Sequence, residues 1–237
     1  MNRQHPKSMK RIRWLSLRDP EEVAQRACAH VLRCAARAVN ERGRFRLVLA
    51  GGSTPASTYQ RLARAAADWH HWQIYFSDER CLPPDNADRN SRMAQQTWLD
   101  RVTIPAENIH IIAAENEPEQ GARAYASQVA AALPFDLVLL GLGDDGHTAS
   151  LFPDQKHPAS ELVHAVRNAP KPPPERITLS IAALSRSREV LFLVTGRDKR
   201  DAVAAWQAGA CLPAARIGPD AVVTVLLDAD ADPSKPF

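Results

Sequence analysis

Several short apolar runs, four of which end at glycine or polar residues, limit the folds open to this chain. They cover residues 45–50, 73–76, 109–112, 135–140, 176–181, 188–196 and 221–228. Most are apolar along their length, which is typical of strands buried on both faces of a parallel sheet. Helical patterns over residues 20–40, 56–67, 118–133 and 199–208 separate many of them. The sequence predicts an α/β fold: a doubly wound, mostly parallel sheet with helices on both faces.

The positive charge is concentrated at the N-terminus. The formal net charge is +3, and five cations with no acid lie in the first thirteen residues (Arg3, Lys7, Lys10, Arg11 and Arg13), which leaves −2 for the rest. Because the remainder is close to neutral, we expect no nucleic-acid partner. We predict that residues 1–17 form a disordered basic leader, either solvated or touching an anionic surface, and that residues 18–237 form one domain.

Composition and cysteine usage favour a cytoplasmic protein. Neither an apolar run of about 18 residues nor the apolar stretch of a secretory signal is present, so we expect no membrane partner and no export. The four cysteines (Cys28, Cys34, Cys81 and Cys211) have no C-x-x-C spacing. Reduced thiols explain them most simply, and we expect a monomer in the cytoplasm.

Four polar clusters follow predicted strands, at residues 51–54, 77–80, 143–147 and 195–199. Open α/β sheets bind ligands beyond the carboxyl ends of their strands. We therefore expect the four clusters to line one crevice.

The first cluster has the composition of an anion site. Gly51, Gly52, Ser53 and Thr54 precede a predicted helix, so that backbone N–H groups, hydroxyls and the helix dipole all favour phosphate. The loop matches neither the dinucleotide nor the P-loop motif. A plain turn with a Ser/Thr helix cap remains an alternative. Arg80 and Lys199 can complete a phosphate site, although single cations are more often solvated surface charges.

The third cluster contains the best acid/base candidate, His147, because histidine titrates near neutral pH. Asp144 and Asp145 can orient it, or they can simply cap the next helix. One histidine beside two aspartates is not a recognisable zinc site, so we expect no metal or other cofactor. Ser150 lies outside a G-x-S-x-G motif, which argues against a serine hydrolase.

Taken in order, five motifs resemble those of the 6-phosphogluconolactonase family. They are LVLAGGSTP (47–55), FSDERCLPPDNADRNSRM (76–93), FDLVLLGLGDDGHTASLFP (135–153), PPPERITLSIAAL (172–184) and LFLVTGRDKRDAV (191–203). The resemblance runs from about residue 18 to about residue 227. It implies a modified Rossmann-like sheet and hydrolysis of 6-phosphogluconolactone, a sugar-phosphate lactone of the oxidative pentose phosphate pathway, with no cofactor.

The resemblance also implies roles for individual residues. His147 is the catalytic histidine, assisted by Asp145, and the 51–54 loop, Arg80 and Lys199 contact phosphate. Asn90 matches a substrate-binding asparagine. Family members often have serine before it, where this chain has Arg89.

Two other functions stay open at this point. An amino-sugar phosphate deaminase/isomerase has similar GGSTP and DGH motifs, but its relatives continue toward Asn-Glu-Pro where this chain reads HTASLFP. A non-catalytic sugar-phosphate sensing domain would need a DNA-binding element, for which the residues before the first helix are too few. The proline-rich residues 170–174 are either a rigid connector, which we favour, or a mobile cover.

Overall fold

The computed structural model describes residues 12–218 and 222–235. Its strands are β1 (Ile12–Ser16), β2 (Phe45–Leu49), β3 (Trp72–Phe76), β4 (Asp78–Arg80), β5 (Phe135–Leu140), β6 (Val163–Val166), β7 (Arg176–Leu179), β8 (Ser187–Val194) and β9 (Val222–Leu227). Its α-helices are α1 (Pro20–Arg42), α2 (Ser53–Leu62), α3 (Asn90–Thr97), α4 (Pro118–Ala132), α5 (Ile181–Ser185), α6 (Arg200–Gln207) and α7 (Pro213–Arg216).

The long helix α1 begins and ends at local signals. The Asp19 side chain accepts a hydrogen bond from the Glu22 amide at 2.8 Å, and Pro20 occupies the first turn. Gly43 ends the helix in the left-handed conformation, with φ of 70°. These are the start and the end that the sequence predicts for this segment.

The main sheet is parallel, with the strand order β1-β9-β8-β5-β2-β3. From β2 the chain crosses to β3 on one side, whereas β5 lies on the other side of β2 and leads on to β8 and β9. This reversal is a topological switch point, and the loops after β2 and β5 meet there. The predicted α/β class and mostly parallel sheet are confirmed.

A second, antiparallel sheet has the order β4-β7-β6. This second sheet was not predicted. Residues 77–80 were expected to be only a polar cluster after a strand, but residues 78–80 form β4. The predicted strand at 176–181 does form in part, as β7, but it belongs to this sheet and not to the main one. Arg80 pairs with Arg176, and Asp78 pairs with Thr178. The small sheet thereby brings residues from both strands to the edge where the loops after β2 and β5 meet.

The predicted strand at 109–112 is wrong. Ile109 forms only an isolated bridge with Ile74, and β3 is the edge strand of the main sheet. The carbonyl of Ile112 accepts a hydrogen bond from Arg89 Nη2 at 2.7 Å. The same carbonyl accepts the Ala114 amide at 2.8 Å, so beyond Ile109 the segment turns on itself instead of continuing the ladder.

The predicted disorder of residues 1–17 is wrong for its second part, because residues 12–16 form β1 and pair with β9. Trp14 packs edge-on against Trp206, with ring centroids 5.0 Å apart. The packing of the half-buried Trp14 against the buried Trp206 stabilises this strand despite the positive charges near it in the sequence. Residues 1–11, with the other four cations of the leader, lie outside the described residues.

All four cysteines lie within the described residues, and all are free thiols. Across residues 12–218 and 222–235, the helices are too short or too polar to cross a bilayer.

One histidine of the small sheet makes stability depend on pH. Burial lowers the pKa of His164 to about 4, with a smaller contribution from His157, whose Nδ1 lies 3.0 Å from His164 Nε2. An unfolded histidine takes up its proton near pH 6.5. Between these values only the unfolded chain binds that proton, so we expect the free energy of unfolding to decrease as the pH falls from about 6.5 to about 4.

Urea unfolding at about pH 7 and about pH 5 measures this decrease. A His164→Gln variant should lose part of it. An unchanged pH dependence in that variant would contradict the assignment.

Candidate active site

A cavity of about 190 Å³ opens at the switch point of the main sheet. Its lining comes from the loops after β2 and β5, from β4 and β7, from the start of α3 and from Lys199. A cavity of this volume can hold one small metabolite. Three of the four predicted clusters line it directly, and the fourth contributes through Lys199.

His147 and Asp145 form a local pair at this cavity. His147 Nδ1 lies 2.5 Å from Asp145 Oδ1, and the same oxygen accepts the His147 amide at 3.0 Å. Burial acts to raise the pKa of Asp145, but the two hydrogen bonds from His147 outweigh it and keep that pKa below its ordinary value. When Nδ1–H donates to this carboxylate, Nε2 is the nitrogen able to accept a proton.

Gly143 provides the space for this pair. A Cβ at position 143 would lie 1.9 Å from His147 Nδ1 and 2.6 Å from Asp145 Oδ1. We expect Gly143→Ala to displace the imidazole and to lower kcat for the reaction proposed below by about 10²-fold, because a shift of about 1 Å has that cost. Steady-state kinetics measure the loss.

Gly141→Ala is the matched control, because a Cβ there has nothing within 4 Å. Its effect on kcat should be much smaller. Equal losses in the two variants would show that crowding of His147 is not the cause.

The 51–54 loop divides into two pairs of residues. Gly51 and Gly52 line the cavity, and Gly52 has φ of 104°. No side chain caps the start of α2, so its first amides keep the capacity to bind an anion. Ser53 and Thr54 do not line the cavity, and Thr54 Oγ1 lies 2.6 Å from Thr195 Oγ1. The glycine backbone is therefore the better candidate for anion contact than the hydroxyls.

Three cations line the cavity: Arg80, Lys199 and Arg176. The first two were predicted, whereas Arg176 was not. Arg176 is buried and donates through Nε and Nη2 to the carbonyls of Lys171, Pro172 and Pro173. These bonds fasten the proline-rich segment, as expected of a connector. Burial lowers the pKa of Arg176, but a guanidinium stays charged near neutral pH.

Asn90 and Asp78 form the buried floor of the cavity. Asn90 Nδ2 donates to the Asp78 carbonyl at 3.0 Å and to Asp78 Oδ1 at 3.2 Å, and Ser150 Oγ donates to Asp78 Oδ2 at 2.6 Å. A Cβ on Gly51 would meet Asn90 Oδ1 at 1.9 Å, so glycine is needed there. Asp78 was missed as a site residue, although its position at a strand end was a usable signal.

Arg89 does not reach the cavity. Its side chain is 1% exposed; Nη1 lies 2.8 Å from Glu115 Oε2, and Nε lies 3.4 Å from Glu79 Oε2. Glu79 in turn accepts the backbone amides of Arg80, Asn90 and Ser91. Arg89 therefore supports the backbone that carries Arg80 and Asn90.

Asp144, Asp145 and His147 have metal-binding atoms within 4.8 Å of one another. Lys171 Nζ forms an ion pair with Asp144, and this hydrogen bond is the main cause of the lowered pKa of Asp144. Both carboxylates therefore have protein partners, Lys171 for Asp144 and His147 for Asp145.

A family model described as glucosamine-6-phosphate isomerases/6-phosphogluconolactonase matches residues 18–226. The chain belongs to this family. Among its members, the 6-phosphogluconolactonase of Synechocystis sp. is 40% identical over 193 residues, covering 76% of this chain and 79% of the relative. That of Mycobacterium leprae is 41% identical over 189 residues, covering 73% of this chain and 76% of the relative.

The solved structures agree with this family membership. The 6-phosphogluconolactonase from Thermotoga maritima matches with a TM-score of 0.87 at 27% identity, covering 92% of this chain and 100% of that one. The two chains therefore share one fold over most of their length.

Proposed function

We propose that the protein is a 6-phosphogluconolactonase, which hydrolyses 6-phospho-D-glucono-1,5-lactone to 6-phosphogluconate. The observation that carries the proposal is the His147–Asp145 pair at the edge of a cavity lined by cations and an uncapped helix start. The relatives named above support the choice of substrate.

In this proposal the phosphate is bound by the backbone at Gly51 and Gly52, together with Arg80 and Lys199. The uncapped start of α2 supplies amide donors, and the cations supply charge-assisted hydrogen bonds. Arg176 adds a third positive charge to the same cavity. Anchoring the phosphate places the lactone carbonyl beside His147.

His147 then acts as general base through Nε2. It takes a proton from water as the water oxygen bonds to the lactone carbonyl carbon, and Asp145 stabilises the resulting imidazolium. The tetrahedral intermediate collapses by breaking the bond between that carbon and the ring oxygen. His147 returns its proton to the ring oxygen, which becomes a hydroxyl, and the carboxylic acid loses its proton to solvent.

The oxyanion of the intermediate needs a donor. The Gly143 amide already donates to the His147 carbonyl at 2.8 Å, and the Gly146 amide donates to the Gly143 carbonyl at 3.0 Å. Neither is free for this role. Of the three cations that line the cavity, Lys199 is assigned to the phosphate, and we assign the oxyanion to Arg80 or Arg176.

The deciding experiment compares freshly prepared 6-phosphogluconolactone with the unphosphorylated lactone, each corrected for spontaneous hydrolysis. A strong preference for the phosphorylated compound is expected. Equal rates would refute the phosphate anchor. Ammonia release from glucosamine 6-phosphate would instead establish a deaminase, and binding without turnover would establish a sensing domain.

Removing one cation should affect substrate binding selectively. We expect Lys199→Ala to raise KM for the phosphorylated lactone by about 10–100-fold, because a hydrogen bond to a charged group contributes about 1.5–3 kcal/mol. The unphosphorylated lactone should be little affected. Lys156→Ala, which alters an exposed lysine away from the cavity, is the matched control. Equal changes for both substrates would contradict a phosphate contact.

We further propose that the enzyme is monomeric and acts in the cytoplasm. The free cysteines suit a reducing compartment. Sedimentation of the purified protein measures its oligomeric state.

A further inference from the structure

A second group of potential metal ligands lies far from the cavity. His30 and Cys34 belong to α1, and Glu189 lies near the beginning of β8. Glu189 pairs in register with Leu137 near the beginning of β5, whereas the catalytic loop follows the other end of that strand. The group therefore lies toward the amino ends of the strands, opposite the proposed active site.

The three side chains converge on one point. His30 and Cys34 are four residues apart in a helix and so share one face. His30 Nε2 lies 2.8 Å from Glu189 Oε2, and Cys34 Sγ lies 3.6 Å from the same oxygen. All three ligand atoms lie within 4.8 Å of one another, so small side-chain rotations would admit a cation.

Burial and charge suit a bound cation. Cys34 is 5% exposed, whereas the side chains of His30 and Glu189 keep exposures of 20% and 15%, which leave a path for entry. A divalent cation would balance one thiolate and one carboxylate.

We propose that His30, Cys34 and Glu189 bind a divalent transition-metal ion, with Zn²⁺ as the best match. Thiolate, imidazole and carboxylate are zinc ligands, and three protein ligands leave a fourth tetrahedral position for water. On binding, the Cys34 thiol releases its proton to solvent, and His30 binds through Nε2 with its proton on Nδ1. No electron is transferred.

The neighbouring arginines are compatible with this site. Arg37 forms an ion pair with Glu189 Oε1, which leaves Oε2 for the metal and fixes the carboxylate. Arg33 Nη2 lies 3.4 Å from His30 Nδ1, and this exposed side chain must turn toward solvent when Nδ1 carries the proton. Without metal, the same three groups form a hydrogen-bonded link between α1 and β8.

The test is a titration of the full-length, chelator-stripped protein with Co²⁺. We expect a thiolate-to-cobalt charge-transfer band that saturates at one equivalent and disappears when Zn²⁺ is added. Cys34→Ser should lose the band, and His30→Gln should weaken Co²⁺ binding by at least about tenfold. Cys28→Ser, which alters the other cysteine of α1, should keep the band, and lactonase activity should stay unchanged in all three variants.

His147→Gln separates this site from the Asp144, Asp145 and His147 group, and it should keep the band. Circular dichroism checks the fold of each variant. If Cys34→Ser does not fold, the weaker Co²⁺ binding expected of His30→Gln provides the test, because His30 is partly exposed. The proposal is overturned if the wild-type protein shows no band, if Cys34→Ser keeps it, or if only His147→Gln loses it.

Discussion

Replacing His147 with alanine is expected to lower kcat for 6-phosphogluconolactone hydrolysis by about 10²–10⁴-fold, which is the usual contribution of general acid–base catalysis. KM should change little, because the phosphate contacts are made by other residues. The reason lies in the geometry: Asp145 Oδ1 accepts from His147 Nδ1 at 2.5 Å, which leaves Nε2 as the base. Stopped-flow or continuous assays, corrected for spontaneous hydrolysis, measure the loss.

Two further variants make this result specific. Asp145→Asn keeps an oxygen that can accept from Nδ1 but removes the charge that stabilises the imidazolium, so we expect a smaller loss of kcat. His157→Ala alters a histidine that does not line the cavity and should stay near wild type. Near-normal lactone turnover by His147→Ala would remove this residue from the mechanism.

Replacing Arg89 with alanine is expected to lower the free energy of unfolding by about 3–5 kcal/mol, the range seen when one partner of a buried ion pair is removed. Both Arg89 and Glu79 are almost fully buried. The substitution also removes donors to the carbonyls of Leu82 and Ile112, at 3.3 and 2.7 Å. Urea unfolding measures the change.

Matched substitutions separate the causes of this loss. Arg101→Ala removes an exposed arginine and should change stability by less than about 0.5 kcal/mol. Arg89→Lys keeps the charge but not the fork of donors, so we expect an intermediate loss. A loss below about 1 kcal/mol in Arg89→Ala would contradict a supporting role for the buried pair.

The same network explains how an arginine is accommodated at position 89. Glu79 Oε1 accepts the Asn90 amide at 2.7 Å, and Glu79 Oε2 accepts the Ser91 amide at 2.8 Å. The Arg89 guanidinium balances the negative charge of the buried Glu79 carboxylate. Because its side chain does not line the cavity, it is not a substrate-binding group. The position of Asn90 at the cavity is therefore compatible with arginine before it.

Much of the fold could be predicted because its signals are local. The boundaries of α1 follow from Asp19, Pro20 and Gly43, whose capping geometry involves neighbours within four residues. Most strands of the main sheet are short, largely continuous apolar runs, which is the pattern of a strand buried on both faces. The edge strand β1 was missed because its neighbouring charges obscured a short half-buried pattern.

Part of the site was also accessible from the sequence. His147 and Asp145 are two residues apart, so their contact needs only the tight turn that Gly143 and Gly146 allow. Arg176 was not accessible, because it approaches the cavity through the antiparallel pairing of β4 with β7. Nothing in either short strand specifies its partner, since pairing depends on the packing of the whole chain.

The amino-acid sequence by itself determined the long helices, most strands of the main sheet, the tight turn that joins Asp145 to His147 and the succession of polar clusters, because each depends on short-range periodicity or on turn chemistry. Only the tertiary structure decided which cations share the cavity, that Arg89 is buried against Glu79, and that His30, Cys34 and Glu189 meet. Contacts between residues distant in sequence are set by the balance of burial, charge pairing and chain entropy over the entire fold.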